Sequence, residues 1–320
     1  MTAIFAPSGR TRLTATIPAI YLVLIAVIVG AALISDRFLT AGNIVAILQQ
    51  AVIAGIVALG MTVVLIGGQF DLSTGAIVMM AAVMALLISP NGNIETILAI
   101  SAPVLAGIAI GVLNGLAVYA AGANSIVVTI GMQFIVIGAV LAVVSGQHVY
   151  PEVLDDSFRA LANARLFGIP FPVVTFASLT VLLSVVMSKT VFGRHVYAIG
   201  GDIEAARRAG IAVIRTGTLT FALSGALAAL AGVIIAALVG HVDPTAIAKY
   251  EFPALTAVVL GGTSLVGGEG RPAETAAAIL VVSIITNVMT ILNYQYPLQL
   301  LVQGIVLAAA VAFYSYRRGG

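Results

Sequence analysis

The sequence predicts an all-α polytopic membrane protein with about ten transmembrane helices, some of them half-helices or broken, and three observations support this prediction. Of the 320 residues, 61% are hydrophobic and only 8% are charged, with a mean hydropathy of +1.17. A soluble domain carries about 25% charged residues, so lipid rather than water is expected to cover this chain. Apolar stretches of spanning length recur with short polar breaks between them, and Lys and Arg are distributed unevenly among those breaks.

The apolar stretches predict ten helices. They are placed at 17–35, 44–66, 72–89, 96–118, 126–146, 171–189, 215–240, 252–266, 272–293 and 297–316. The first is long enough to span and lacks a clear cleavage site, so it is interpreted as a membrane helix rather than a signal peptide. The eighth is short for a complete span and is expected to be a half-helix or a re-entrant segment. Residues 17–316 then form one transmembrane domain between an N-terminal tail (1–16) and a C-terminal tail (317–320).

The positions of the basic residues predict the orientation. With an even number of spans both termini lie on one side, and ten of the 14 Lys and Arg residues fall on that side. Because basic residues concentrate on the cytoplasmic side of membrane proteins, both termini are expected in the cytoplasm. The longest cytoplasmic connection is then 190–214, and the longest external one is 147–170.

Composition also excludes several functions. The chain has no cysteine and only three widely separated histidines, which excludes a disulfide framework and argues against a metal site. Its basic residues are too few and too scattered for a nucleic-acid surface. No nucleophile–base pair and no paired carboxylates stand out, so no catalytic residue and no cofactor bound by this chain are predicted.

The first break that carries chemistry is Gly67–Gly75, with the sequence GGQFDLSTG. Its glycines indicate the end of one helix, and Asp71 is expected either to cap a helix starting at Leu72 or to contact solute in a path or gate. Asp71 is the only acidic residue expected well inside the membrane, where a charge is costly unless it is satisfied. The other candidates for the path or gate, each of which could instead bond helices together, are Ser73, Asn114, Thr129, Gln133, Thr263 and Asn287.

The second break is Gly261–Gly270, with the sequence GGTSLVGGEG. A phosphate-binding loop needs Lys and then Ser or Thr after its second glycine, whereas Gly268 and Glu269 follow here, so a tight glycine-rich turn is predicted instead of an ATP site. The residues before it, 256–262, resemble 62–68, which indicates either a weak internal repeat or chance. The spacing of Gly107, Gly111 and Gly115 predicts a closely packed helix pair.

A short helix is predicted at 202–210 in the cytoplasmic connection. Asp202 is a suitable N-cap, Arg207 and Arg208 suit the C-terminal end of the helix dipole, and Gly210 can terminate the helix. So short a helix is unstable alone, so it must pack either on its own membrane domain as a connector or on a partner. In the second case its small residues, Ala206 among them, would enter a groove on that partner.

The chain resembles, across nearly its whole length, the membrane subunits of ribose-, xylose- and galactose-type ABC importers. The motifs that carry this resemblance occur in order at 67–75, 111–115, 126–132, 192–211, 224–232, 257–270 and 287–292. The segment FGRHVYAIGGDIEAARRAGI (192–211) is the most specific, since it resembles the family's cytoplasmic coupling segment. The chain departs from the usual family pattern at Gln69-Phe70 and at 271–274, two places that could bear on the transported solute.

The resemblance implies a bacterial inner-membrane permease that moves a monosaccharide or similar small polar solute into the cytoplasm by alternating access. ATP and Mg²⁺ would be bound by separate cytoplasmic ATPase subunits, a periplasmic solute-binding protein would deliver the solute, and a second permease copy or a related permease would complete the transporter. The residues implied to couple to the ATPase are Asp202, Glu204, Ala205, Ala206, Arg207, Arg208 and Gly210. The alternative is a secondary carrier or facilitator that works without ATP.

Overall fold

The computed structural model describes residues 18–88, 92–151, 154–243 and 250–319, and these ranges are mostly helical. The helices described there are α1 (Ala19–Ile34), α2 (Ala41–Ile66), α3 (Thr74–Leu87), α4 (Asn93–Tyr119), α5 (Ser125–Val144), α6 (Asp156–Asn163), α7 (Phe171–Lys189), α8 (Val191–Gly201), α9 (Ile203–Arg208), α10 (Val213–Val239), α11 (Glu251–Leu260), α12 (Pro272–Ile291) and α13 (Tyr296–Gly319). Strands β1 (Arg165–Leu166) and β2 (Ile169–Pro170) form a two-residue antiparallel hairpin in which Arg165 pairs with Pro170.

Six of the described helices are long and apolar enough to cross a membrane, namely α2, α4, α5, α7, α10 and α12. Shorter apolar helices are α1, α3, α11 and residues 296–312 of α13. Each predicted segment overlaps one of these helices, so a mostly helical polytopic protein is confirmed, while the number of crossings stays a prediction. The predicted N-terminal tail lies outside the described residues.

Two local predictions were wrong. The eighth segment ends at Leu260 rather than at 266, because two glycines terminate it. The connection 147–170 contains α6 and the hairpin, so the chain is not strictly all-helical. The connection 190–214 contains α8 in addition to the predicted short helix, and α13 extends to Gly319.

The core is built around α2 and α10. From Ala51 to Ile66 every residue of α2 is buried, as expected for a helix that is apolar on all sides. Helix α4 packs closely on α10, because a Cβ at Gly111 would collide with the backbone of Phe221 and one at Gly107 with the backbone of Gly225. The predicted close packing of this glycine face is therefore confirmed.

Candidate functional site

The break between α2 and α3 lies inside the helix bundle. Helix α2 ends with Gly68 at φ +77°, and the N–H groups of Gly68 and Gln69 donate to the carbonyls of Leu65 (2.9 Å) and Val64 (3.2 Å). This pair of bonds is a Schellman motif, the usual glycine-based helix stop. The chain then runs without helix to Thr74, where α3 begins.

Asp71 is completely buried in this break and binds two serines. Its Oδ1 accepts hydrogen bonds from the N–H (3.1 Å) and the hydroxyl (2.6 Å) of Ser73, and its Oδ2 accepts one from the hydroxyl of Ser224 on α10 (2.8 Å). Ser73 in turn accepts a bond from the side-chain amide of Asn114 on α4 (2.9 Å). The carboxylate therefore joins the break to α10 directly and to α4 through Ser73.

The prediction that Asp71 caps a helix at Leu72 was wrong. Helix α3 starts two residues later, with Ser73 as the N-cap residue. The reason is that hydroxyl groups of α5 already satisfy the backbone of the break: Phe70 N–H donates to Ser125 (3.1 Å), and Leu72 N–H donates to Thr129 (3.1 Å). With these partners the buried backbone has no need to become helical.

A second buried acid, Glu251, lies beside the start of α3. It is the first residue of α11 and is only 5% exposed, and its Oε1 accepts a bond from the amide of Gln133 (3.4 Å). Its Oε2 occupies the space that a Cβ at Gly75 would need. Among the described residues, neither this oxygen nor the buried hydroxyl of Thr74 has a hydrogen-bond partner.

Asp71 is therefore not the only acidic side chain buried in the described part of the bundle. Whether Glu251 also lies at membrane depth stays a prediction. Glu251 directly precedes the eighth predicted segment (252–266), so the sequence did not mark it as a buried acid. The shortness of that segment was the available signal, because an apolar helix too short to span is often enclosed by other helices.

The structure brings some of the predicted path residues together and separates others. Asp71, Ser73, Asn114 and Thr129 line one polar cluster, and Gln133 reaches Glu251 next to it. Thr263 lies in the second break, and Asn287 of α12 exchanges two side-chain hydrogen bonds with Asn43 of α2 (3.1 and 2.9 Å). The role of each in a solute path stays a prediction.

The break between α11 and α12 begins in the same way as the first one. Gly262 has φ +84°, and the N–H groups of Gly262 and Thr263 donate to the carbonyls of Val259 (2.9 Å) and Val258 (3.2 Å). The likeness between 62–68 and 256–262 thus corresponds to a shared helix stop. Gly267 and Gly268, both with positive φ, form the predicted tight turn.

The connection 190–214 contains the predicted short helix, α9, and its end signals are confirmed. Oδ1 of Asp202 accepts bonds from the N–H groups of Glu204 and Ala205, both at 2.9 Å. Gly210 has φ +81°, and its N–H donates to Arg207 O (3.0 Å). These contacts fix the helix at both ends.

The prediction that Ala206 enters a groove on a partner was wrong. Ala206 is only 4% exposed and belongs to a buried cluster of its own chain that includes Val64, Ile199 and Phe221, so it does not face a partner's groove. Together with the partly buried Ile203, it holds α9 on the rest of the chain. The remaining predicted coupling residues are all exposed, namely Asp202, Glu204, Ala205, Arg207, Arg208 and Gly210.

A bundle of apolar helices that encloses two non-helical breaks and buried polar groups is the architecture of a multi-pass membrane protein. Such discontinuous helices are common in transporters. Residues 43–311 match the family described as "Branched-chain amino acid transport system / permease component". The chain is 34% identical over 291 residues to the ribose import permease protein RbsC of Bacillus subtilis, covering 91% of this chain and 90% of that protein. It is 34% identical over 265 residues to the L-arabinose transport system permease protein AraH of Escherichia coli, covering 83% and 80% of the two chains. No solved structure matches the chain.

The chain belongs to this permease family. It is the permease subunit of an ABC importer and a multi-pass protein of the bacterial inner membrane, as the sequence predicted. Among the relatives, RbsC of Escherichia coli is 32% identical over 292 residues, which cover 91% of this chain and 90% of that protein.

Proposed function

We propose that this chain carries a monosaccharide across the inner membrane, powered by separate ATPase subunits and supplied by a periplasmic solute-binding protein. The observation that carries the proposal is the likeness over about nine tenths of the chain to permeases named for ribose, together with one named for arabinose. A second permease copy or a related permease would complete the transporter. ATP and Mg²⁺ belong to the ATPase, since this chain lacks a phosphate-loop lysine in its glycine-rich break.

The proposed topology has ten membrane segments with both termini in the cytoplasm. The distribution of basic residues supports it, because it puts α9 and both termini on the side richer in Lys and Arg. A reporter fused after Arg317 is expected to report a cytoplasmic position. An external reading from that fusion would reverse the orientation of the whole chain.

The proposed solute path runs beside the start of α3. Supporting it are the two breaks inside the bundle and the oxygens of Glu251 and Thr74 that have no partner among the described residues. Transporters commonly place their sites at such discontinuous helices. Carboxylate and amide groups, as in Glu251 and Gln133, can accept from and donate to the hydroxyls of a sugar.

The exposed side of α9 is proposed to dock on the ATPase. Ala206 anchors the opposite side, so Glu204, Arg207 and Arg208 point away from the membrane domain. Glu204 and Arg207 form an ion pair at 2.8 Å. Arg208, the next residue, is exposed beside this pair. The surface offered to the ATPase is therefore short, polar and fixed in place.

The test is ATP-dependent sugar uptake in vesicles that hold the permease with its ATPase and binding protein. Reversing both charges in Arg207→Glu with Arg208→Glu is expected to lower co-purification of the ATPase and to reduce uptake by at least about tenfold. The control is Arg159→Glu, an exposed charge reversal in the external connection, which is expected to leave both unchanged. Uptake by the unmodified permease that needs an ion gradient and no ATP would instead favour the secondary-carrier alternative.

A further inference from the structure

Three Gly-Gly pairs that are far apart in the sequence meet at one place. Gly67–Gly68 ends α2, Gly200–Gly201 ends α8, and Gly267–Gly268 forms the turn of the second break. The N–H of Gly268 donates to the carbonyl of Ile66 (2.8 Å), which ties the second break directly to the end of α2. We call the four residues Gly68, Gly200, Gly267 and Gly268 the glycine joint.

The backbones in the glycine joint touch without side chains between them. A Cβ at Gly200 would collide with the carbonyl of Ile66 and would lie 2.6 Å from the nitrogen of Gly268. A Cβ at Gly267 would lie 2.6 Å from Cα of Gly68 and 2.7 Å from the carbonyl oxygen of Gly200. Contacts between backbones cannot yield by a change of rotamer, so the three segments are expected to move together.

A side-chain bond reinforces the glycine joint. The hydroxyl of Tyr197 on α8 donates to the carbonyl of Gly270 at 2.6 Å. Burial raises the pKa of Tyr197 above its ordinary value, so the phenol keeps the proton that makes this bond. Val196, one residue earlier, is buried, and its Cγ1 lies 3.8 Å from the position of a Cβ on Gly67. Helix α8 is thus attached to both breaks.

The glycine joint lies between the two sites described above. On one side, α9 starts two residues after Gly201, with its cap at Asp202. On the other side, Asp71 follows Gly68 by three residues within the same break. Few residues and direct backbone contacts therefore separate α9 from the break that contains Asp71, so a displacement of α9 is expected to move that break.

We propose that the glycine joint transmits the movement of α9 to both intramembrane breaks as one rigid unit, which makes Gly200 a positioning residue for transport. This inference rests on the proposed function, because it takes the ATPase as the source of the movement. Packed elements that contact directly respond to a small displacement by shifting as bodies rather than by deforming.

The test compares two neighbouring glycines at the end of α8. Gly200→Ala places a methyl group inside the glycine joint, whereas a Cβ at Gly201 has nothing within 4 Å. Both residues have helical backbone angles, so alanine is compatible with the backbone conformation at either position and only the space around the methyl group differs. Gly201→Ala is expected to keep uptake within about twofold of the unmodified protein. Gly200→Ala is expected to lose ATP-dependent uptake by at least about tenfold while the ATPase still co-purifies and hydrolyses ATP.

A cross-link tests the rigid movement independently of any folding defect in Gly200→Ala. The chain has no cysteine, so Gly67→Cys with Val196→Cys introduces one defined pair. The oxidised protein is expected to transport as well as the same preparation after reduction. Loss of uptake on oxidation that a reductant restores would show that α8 and α2 separate in each cycle, and it would overturn the proposal, as would failure of the pair to cross-link in membranes.

The outcomes also separate this inference from the proposed function. If Gly200→Ala transports like Gly201→Ala while the unmodified protein shows ATP-dependent uptake, the glycine joint has no part in coupling and the proposed function stands. If the unmodified protein, with its ATPase and binding protein, shows no ATP-dependent uptake, the proposed function itself is wrong and the inference that rests on it is withdrawn.

Discussion

The two breaks in the bundle begin alike and then diverge. Both follow a helix that ends in two glycines, and both are closed by the same pair of backbone hydrogen bonds. The α2–α3 break then buries its acid, Asp71, completely. The α11–α12 break leaves its acid, Glu269, exposed and folds back through Gly267 and Gly268.

The difference teaches that one kind of helix stop can serve two purposes inside a helix bundle. Ending a helix frees backbone groups that must find partners. In the α2–α3 break, hydroxyls of α5 supply these partners, so the break becomes a cluster of side chains. In the α11–α12 break, Ser264 N–H bonds to Glu269 O within the break (3.0 Å) and Gly268 N–H to Ile66 O outside it, so it offers backbone rather than side chains.

Helix α11 connects the two breaks. It starts at Glu251, whose carboxylate lies against Gly75 near the first break, and it ends at Leu260, where the second break begins. Its ten residues are therefore placed to relate the position of the second break to the polar cluster beside the first.

The largest effect is expected at Asp71. Asp71→Ala removes the acceptor of three hydrogen bonds and leaves the buried hydroxyls of Ser73 and Ser224 without it, at a cost of about 1–3 kcal/mol for each orphaned group. Uptake per permease in the membrane is expected to fall by more than about tenfold. Asp71→Asn is the matched control, because its amide oxygen can accept from Ser73 and the Ser224 hydroxyl can turn to accept from its NH₂ group.

Asp71→Asn is expected to reach the membrane in normal amounts and still to transport poorly, because the carboxyl group is lost while the hydrogen-bond geometry is kept. Immunoblotting of membranes alongside sugar uptake separates the two effects. Uptake at the unmodified rate in Asp71→Asn would show that Asp71 has only a structural role. The α2–α3 break would then differ from the α11–α12 break in structure but not in a role in transport.

A smaller effect is expected at Glu251. Glu251→Gln is nearly isosteric and keeps an oxygen that can accept from Gln133, so the fold should persist. Loss of the carboxylate is expected to raise the KM for sugar several-fold, corresponding to about 1 kcal/mol, the size of one hydrogen bond. Glu269→Gln, at the exposed acid of the second break, is the control and is expected to leave the KM unchanged. An equal KM in both variants would remove Glu251 from the proposed path.

The sequence predicted features whose signals are local and missed those that depend on distant residues. The ends of α9 were predicted correctly because Asp202 and Gly210 act on backbone groups within a few residues. The partner of Asp71 was not predicted, because Ser224 lies 153 residues away. Glu251 was missed for the same reason, since its burial depends on the absence of a side chain at Gly75.

The burial of Ala206 is a second feature that depends on residues distant in the sequence. The small size of Ala206 suited a groove on a partner equally well as a contact with its own domain, and only the positions of α2 and α10 decide between them. Apolar segments were located well because length and hydropathy need no partner, as the agreement at 171–189 with α7 illustrates.

The smallest effect on stability and uptake is expected at Thr263, the buried hydroxyl of the α11–α12 break. The hydroxyl of Thr263 is buried without a hydrogen-bond partner among the described residues. Thr275, on α12, is buried as well, but its hydroxyl lies 2.8 Å from that of Thr62, which itself donates to the carbonyl of Ala58 at 2.7 Å. Thr62 uses its only hydroxyl hydrogen on Ala58, so Thr275 is the donor in the bond to Thr62. Replacement by valine therefore removes a hydrogen bond at Thr275 and none among the described residues at Thr263.

Valine is close in shape to threonine, so the same replacement at both positions isolates the hydroxyl. Thr263→Val is expected to change the free energy of unfolding by less than about 0.5 kcal/mol, whereas Thr275→Val should lose about 1 kcal/mol with its bond. Thermal unfolding of the purified permease measures this difference, and uptake by Thr263→Val is expected to stay within about twofold of the unmodified protein. A clear loss of uptake by Thr263→Val at unchanged stability would mean that its hydroxyl meets the solute. The second break would then serve, like the first, as a side-chain site, because a hydroxyl that has no hydrogen-bond partner among the described residues and is still needed for transport would bond the solute.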